Sequence, residues 1–356
     1  MKRIVHLIFT LESGGSENLL VDIANEQASE ANVTVILINN KSNQDLLARI
    51  NNNVRFITLN RTEGNKRSIY FLIKLWNLLL HLKPDVIHCH NHNIILLLPL
   101  HRKKAVLTIH CLHAPAIHLA KYKQVYSVSN AVSDDIRMRT GIASPVILNG
   151  INFTHIFQRN NYDLRKSSVI KLVQVGRLFH EIKGQHLLLK ALQQLLTEEK
   201  YSNLTVDIIG SGPSLKYLQK LTGILNINKH VCFAGEKSRT WIYNNLSSYH
   251  ILIQPSLSEG FGLSVLEGVA AGLPVIASDH AGPCEILQQL PTGFLFKRGD
   301  VNNLVTTIKK VIDQLLQYRV KELCLASRKI ADEKYSVHKT AGAYMRQYAR
   351  LANDDR

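Results

Sequence analysis

The apolar positions of this chain fall in short, nearly continuous runs separated by stretches with helical spacing. Short apolar runs bounded by turn residues read as buried strands, and apolar spacings of three and four read as helices. In the first half the pattern predicts strands at Ile4–Phe9, Val33–Ile38, Val54–Leu59, Val86–His90, Ala105–His110, Val125–Val128 and Val146–Leu148. Helices are predicted at Glu17–Gln27 and Ile69–Leu82, the second apolar almost all round. That helix reads as buried between strands, with partial insertion at a bilayer surface as the other reading. Asn149-Gly150 is a turn signal, and residues 152–168 are polar and irregular, as a linker would be. The rhythm then restarts, with strands at Ile170–Val175, Leu204–Ile209, Val231–Phe233, Ile251–Gln254 and Pro274–Ser278 and a helix at Gly184–Leu196. An amphipathic stretch, Val337–Leu351, closes the chain. Alternation of this kind predicts mostly parallel sheets covered on both faces. The expected fold is α/β, with two Rossmann-like domains, 1–150 and 151–336, facing across an interdomain cleft. Ligands of such sheets bind at the carboxyl ends of the strands, where the glycine turns of this chain lie.

The most pointed chemistry follows Ile251–Gln254. Between Pro255 and Gly268 stand Glu259 and Glu267, one before a glycine-rich turn (Gly260-Phe261-Gly262) and one expected in the first turn of the helix after it. A helix N-terminus gathers free backbone N–H groups and suits phosphate. Carboxylates accept hydrogen bonds, so they suit sugar hydroxyls. Taken singly, each part has a plainer reading. An acid near a helix start is favoured by the helix dipole alone, and a glycine turn can be only a turn.

The chain has 356 residues, 46% of them hydrophobic, and a net charge of +16. Nucleic acid, an anionic membrane surface or anionic substrates could each account for that charge. The cations are scattered, at Arg61, Lys66, Arg67, Arg102-Lys103-Lys104, Lys121 and Lys123. No basic stretch with interleaved aromatics marks a nucleic-acid module, so an anionic membrane surface fits better. No run approaches the roughly 20 apolar residues of a membrane span. The start reads as a first strand and not as a secretory signal. Five scattered cysteines suggest a reducing compartment and neither zinc nor disulfides. The expected location is cytoplasmic, peripheral on the inner face of the membrane. His88, His90 and His92 alternate along one strand and could imitate a metal site, but no acid stands near to complete it.

With these residues in place, the chain resembles the retaining GT-B glycosyltransferases of family GT4, the group with a Glu-x7-Glu motif. The resemblance runs over nearly the whole chain. It rests on Ser13-Gly14-Gly15-Ser16-Glu17, Lys83–His90, Val106–His110, Asn149-Gly150-Ile151, Gly176-Arg177-Leu178 with Lys183-Gly184, the Glu259 to Glu267 segment and Gly272–Ala277. It implies a GT-B fold, with the closing helix 337–356 packing back on the N-terminal, acceptor-binding domain. It implies that Arg177 and Lys183 stabilise the leaving diphosphate, that Glu267 holds the ribose and that Glu259 contacts the donor sugar. Those four roles suit the chemistry, since guanidinium and ammonium both take phosphate. Gly15, Gly176, Gly210, Gly260, Phe261, Gly262 and Leu263 would complete the donor site, and His110 would lie beside the donor sugar. Together, Arg177, Lys183, Glu259 and His110 are the expected catalytic set. No metal ion and no cofactor are expected, because the nucleotide sugar is itself a substrate and the chain has no Asp-x-Asp motif. The implied reaction is retaining transfer of a hexose or N-acetylhexosamine from a UDP-sugar to a saccharide or polyprenyl-linked lipid acceptor, in bacterial surface polysaccharide synthesis. Two alternatives stay open: a GT-B epimerase or phosphorylase, and a basic nucleic-acid-binding protein. The chain departs from the family pattern at Gly268, and at Gly282-Pro283 where the family usually has two glycines.

Overall fold

A computed structural model describes all residues except 13, 63–68, 165–168, 318–319 and 354–356. Ser13, Lys66, Arg67 and the end of the 152–168 stretch therefore lie outside the described residues. The chain forms two compact units, Met1–Asn152 with Tyr335–Arg356, and Phe153–Lys334.

In the first unit the strands are β1 (Lys2–Ile8), β2 (Ala31–Asn39), β3 (Arg55–Arg61), β4 (Val86–Cys89), β5 (Ala105–Ile109) and β6 (Gln124–Ser127). They make one parallel sheet in the order β3-β2-β1-β4-β5-β6, with Ile4 opposite Val33 on one side and Val86 on the other. The second unit repeats the plan with β7 (Ile170–Val175), β8 (Leu204–Ile209), β9 (Val231–Gly235), β10 (Ile251–Gln254), β11 (Val275–Ser278) and β12 (Gly293–Phe296). Its order is β12-β11-β10-β7-β8-β9. Both are Rossmann-like: the first strand of each sheet is central and the winding reverses beside it, between β1 and β4 and between β7 and β10. That reversal opens a crevice at the strand ends, the usual ligand position in such sheets. Every residue of β4, β5, β10 and β11 is buried, which is why these strands are near-continuous Val, Ile, Leu and Ala runs.

Three sequence expectations are corrected here. Val146–Leu148 is no strand: only Val146 bridges, to Ser127. Pro145 on one side and Asn149-Gly150 on the other leave too short a run for a ladder. The edge strand β12 had no signal, since it opens on Gly293 and has a single neighbour. The helix Ile69–Leu82 has its expected bounds, but it is not buried all round. Phe71, Leu75 and Leu79, four apart, turn inward, while Tyr70, Ile73 and Leu80 are 77%, 48% and 60% exposed.

Each unit has its own core. In the first, the closing helix Val337–Asn353 packs against Gly15–Gln27 and sends Tyr344 and Tyr348 inward. Its start is tied by Thr340 Oγ1 donating to the Leu148 carbonyl at 2.9 Å and by the Ile151 amide donating to the Tyr335 carbonyl at 2.9 Å. Among the described residues no helix is long and apolar enough to cross a membrane.

Candidate active site

The second unit gathers most of the expected residues at the carboxyl ends of β7, β8 and β10. After Gln254 the chain enters an irregular turn that a hydrogen-bond chain holds in place. Gln254 Nε2 donates to Ser256 Oγ at 2.9 Å, and Ser278 Oγ donates to the Ser256 carbonyl at 2.6 Å. Ser256 Oγ in turn donates to Glu259 Oε2 at 3.3 Å. Against this turn lies a second one, Ile182–Gly184, whose Ile182 carbonyl accepts from the Leu257 and Ser258 amides at 2.7 and 3.1 Å. Gly184 has φ +67°, and a Cβ there would sit 1.9 Å from the Pro255 carbonyl oxygen. Only glycine allows the two turns to meet so closely. Their meeting puts Lys183 Nζ in an ion pair with Glu259, though the residues are 76 apart in sequence. Both side chains are mostly buried, 22% and 16% exposed, so solvent screens the pair only partly.

The turn ends at Gly262, which caps the helix Leu263–Ala270 with φ +104° and no side-chain cap. The first amides of that helix, on Leu263 and Ser264, have no carbonyl one turn ahead to accept from them. They form the anion-favouring end of the helix. Gly282 presses on this turn from behind: a Cβ there would lie 2.3 Å from Phe261 Cα. Pro283 Cγ lies within 3.2 Å of where a Gly262 Cβ would be. The Gly282-Pro283 departure thus shapes the backbone that carries Gly260, Phe261 and Gly262.

Glu267 needs a correction. It is the fifth residue of the helix, not in the first turn, which holds no acid. The helix dipole alone therefore does not account for it, since that effect fades beyond the first turn. Its carboxylate faces Arg239, with Nε 3.7 Å from Oε1, both side chains mostly buried. Arg239 opens the helix Arg239–Asn245 that follows β9 and lies 5.0 Å over the Tyr243 ring. Sequence reasoning missed Arg239 and Ser256. For Arg239 a signal existed: it opens the helix that follows the glycine ending β9.

Gly176 and Arg177 follow β7, and Gly210 follows β8 beside them. A Gly210 Cβ would stand 2.1 Å from the Gly176 carbonyl oxygen, so glycine is required for the strand ends to close up. Gln185 Nε2 donates to the Arg177 carbonyl at 3.0 Å. The Arg177 side chain is exposed and makes no ion pair among the described residues. The assembled groups are two cations and a helix N-terminus suited to phosphate, with two carboxylates suited to hydroxyls.

In the first unit, Gly15 opens the helix Gly15–Gln27 at the end of β1, next to the N-cap Gly14. Its backbone is not in the left-handed region. His110 follows β5, with Nε2 shut away from solvent and without a partner. Burial lowers its pKa to about 4, so it is neutral near pH 7.

His110 stacks beside His90, ring centres 5.8 Å apart, at the edge of a histidine network. The network is His6, His88 and His90, not the expected alternation that included His92. His92 instead begins a 3-10 turn, and His6 enters from β1. The three offer ring nitrogens within 4.8 Å of one another. Those nitrogens are already committed. His6 Nδ1 meets His90 Nε2 at 3.1 Å, and His6 Nε2 meets Gln27 Oε1 at 2.9 Å. His88 bonds Tyr348 at 2.6 Å and Thr108 at 2.7 Å. Only His90 Nδ1 lacks a partner. Burial lowers the pKa of His6 to about 4, and burial with repulsion from neighbouring histidines lowers those of His88 and His90 as well. The set is a neutral hydrogen-bonded network, and with no carboxylate in it a doubly charged ion would stand uncompensated.

Comparison with known proteins gives a consistent picture. The family described as Glycosyltransferase Family 4 matches residues 13–155, and the family described as Glycosyl transferases group 1 matches residues 158–322. Protein CapJ of Staphylococcus aureus is 28% identical over 46% of this chain, an aligned stretch that spans 40% of CapJ. The lipopolysaccharide 1,6-galactosyltransferase of Escherichia coli K12 is 26% identical over 65% of the chain and 66% of its own length. The crystal structure of Anabaena HepE in complex with UDP and glucose superposes with a TM-score of 0.81. It covers 98% of this chain and 100% of HepE at 20% identity, a likeness of fold.

Proposed function

Because this chain belongs to the family 4 glycosyltransferases of GT-B fold, we propose that it transfers a hexose or N-acetylhexosamine from a UDP-sugar to a saccharide or lipid-linked acceptor with retention of configuration. The observation that carries this reading is the Lys183–Glu259 pair, held beside the uncapped N-terminus of Leu263–Ala270. A departing nucleoside diphosphate gains negative charge on its phosphate oxygens. Lys183, Arg177 and the Leu263 and Ser264 amides supply fixed positive potential for that charge, the term that usually dominates such catalysis. Glu267, steadied by Arg239, accepts from the ribose hydroxyls, and Glu259 accepts from hydroxyls of the donor sugar. In the step itself the anomeric carbon–oxygen bond to phosphate breaks. The acceptor oxygen bonds the same face of that carbon, and its proton passes to the departing phosphate. The chain then needs no covalent nucleophile, and its work is positioning and charge stabilisation. The first unit binds the acceptor in this reading, with His110 as its residue to vary.

The acceptor is membrane-borne in this reading, as in surface polysaccharide synthesis, and the protein is peripheral to an anionic bilayer. Support comes from the first unit, where exposed Tyr70, Ile73 and Leu80 share a helix with Lys74, and exposed Leu96 and Leu100 precede Arg102-Lys103-Lys104. Apolar side chains beside lysine and arginine suit an anionic lipid interface. Mass spectrometry of the purified protein with a panel of nucleotide sugars tests the activity: slow donor hydrolysis is expected from one or a few of them. Release from none would reject the reading. Conversion of a donor to its epimer without acceptor would replace transfer by epimerisation.

A further inference from the structure

The second unit has an open polar recess of about 420 Å³ at the opposite ends of its strands from the candidate active site. Arg159, Lys171 and His250 line it, where β7 and β10 begin. From Lys171 to Gly176 along β7 is about 16 Å at ~3.3 Å rise per residue, so one small ligand cannot occupy both places.

The cavity is built around a buried cation. Arg159 is 8% exposed. Its amide donates to the Ala271 carbonyl at 2.9 Å, and its Nη1 donates to the Tyr249 carbonyl. Its guanidinium lies 5.6 Å over the Tyr162 ring. Nε is buried with no hydrogen-bond partner, and no carboxylate pairs with Arg159 among the described residues. Buried charges are ordinarily paired, because an unpaired one costs several kcal/mol. The neighbouring groups do not supply the missing charge. Lys171 adds a second cation, and its amide donates to His250 Nδ1 at 2.9 Å. That bond requires the neutral tautomer with the proton on Nε2. Burial, and after it the charges of Arg159 and Lys171, push His250 down to about 4. The rest of the lining, Gln158, Asn160, Asn161, Ser247 and Ser248, is neutral and hydrogen-bonding, and it includes no Asp or Glu.

We propose that this cavity is a second binding site, which takes a phosphate monoester of sugar size. The phosphate pairs with Arg159 and Lys171, and the amide and hydroxyl side chains hydrogen-bond the sugar. An uncharged sugar would leave Arg159 without a counter-charge, and a bare phosphate would leave the Asn160, Asn161 and Ser248 side chains without a ligand partner.

Calorimetric titration of the full chain with glucose 6-phosphate, in the presence of excess UDP, tests this. Binding of one equivalent at submillimolar affinity is expected, with inorganic phosphate at least tenfold weaker and glucose not detected. Lys171→Glu, an exposed substitution, should abolish binding while donor hydrolysis stays unchanged. Glu259→Gln should leave binding as it is, which separates this site from the proposed transfer reaction. No heat with glucose 6-phosphate, displacement by UDP, equal binding of glucose, or indifference to Lys171→Glu would each overturn the site. Equal affinity for inorganic phosphate would overturn the sugar.

Discussion

The two units share one topology and differ in what they place at their strand ends. In the first, β1, β4 and β5 bring His6, His88, His90 and Thr108 into a closed network that Gln27, Tyr344 and Tyr348 complete. Its groups are neutral, and most of their polar atoms bond one another, His90 Nδ1 and Gln27 Nε2 excepted. In the second, β7 and β10 bring Arg177, Lys183 and Glu259 to an uncapped helix end. Its groups are charged: Lys183 and Glu259 pair across a glycine-built turn, and Arg177 stands exposed just after β7. A Rossmann-like sheet fixes where a site forms, and the residues at its strand ends fix the chemistry.

The largest effect that sharpens this contrast is expected at Glu259. Glu259→Gln keeps the shape and removes the charge, so transfer should fall by about 10³-fold, the scale of losing one group that acts on the transition state. The fold should survive, with a lowered thermal midpoint because Lys183 loses its counter-charge. Steady-state rates and a melting curve check this, and near-normal turnover would remove Glu259 from the reaction.

Next comes Gly184→Ala. Its Cβ would enter the Pro255 carbonyl, and its φ of +67° disfavours any side chain. A loss of about 3 kcal/mol is expected from combined overlap and strain, with the Lys183–Glu259 pair displaced. Denaturant titration reads the first, and loss of UDP binding in whatever fraction stays folded reads the second. A stable variant with unaltered UDP binding would show that the two turns need not meet.

Acid should separate the units. In the folded protein His6 and His110 titrate at about 4, below the usual 6.5 of an unfolded histidine, and His88 and His90 are lowered as well. Their neutral forms stabilise the fold fully above about pH 6.5, and that stability is lost as pH falls from 6.5 towards 4. The second unit has fewer such groups, chiefly His250, also about 4. The two tryptophans divide conveniently, Trp76 in the first unit and Trp241 in the second. Single-tryptophan variants should show the Trp76 signal changing at higher pH than Trp241. Coincident transitions would mean that the histidines do not govern the first unit.

The smallest effect concerns Arg239. Its Nε lies 3.7 Å from Glu267 Oε1. Arg239→Gln should weaken UDP binding about 3- to 10-fold, in the range of a single charge contact, with little change in stability. Unchanged affinity would make Glu267 independent of it.

Most strands were legible because a parallel sheet buried on both faces needs unbroken apolar runs. Ile170–Val175, Leu204–Ile209 and Ile251–Gln254 appear at the expected bounds. The edge strand β12 was not, because a glycine start and one neighbour leave a weak pattern. The glycine turns and both acids were legible by residue type and order. The position of Glu267 one turn deeper was not, since Gly262 sets the helix start through a backbone angle that no pattern prints.

By itself the sequence determined two α/β halves, a basic chain and a pair of acids around a phosphate-favouring turn. These are properties of local pattern and composition. Only the tertiary structure decided which groups meet. It brought Lys183 to Glu259 over 76 residues and Arg239 to Glu267. It drew His6 into the histidine row in place of His92, and it left Arg159 buried without a counter-charge. Such meetings depend on strand order and on close backbone approaches at Gly184 and Gly210, where one missing Cβ lets distant turns touch.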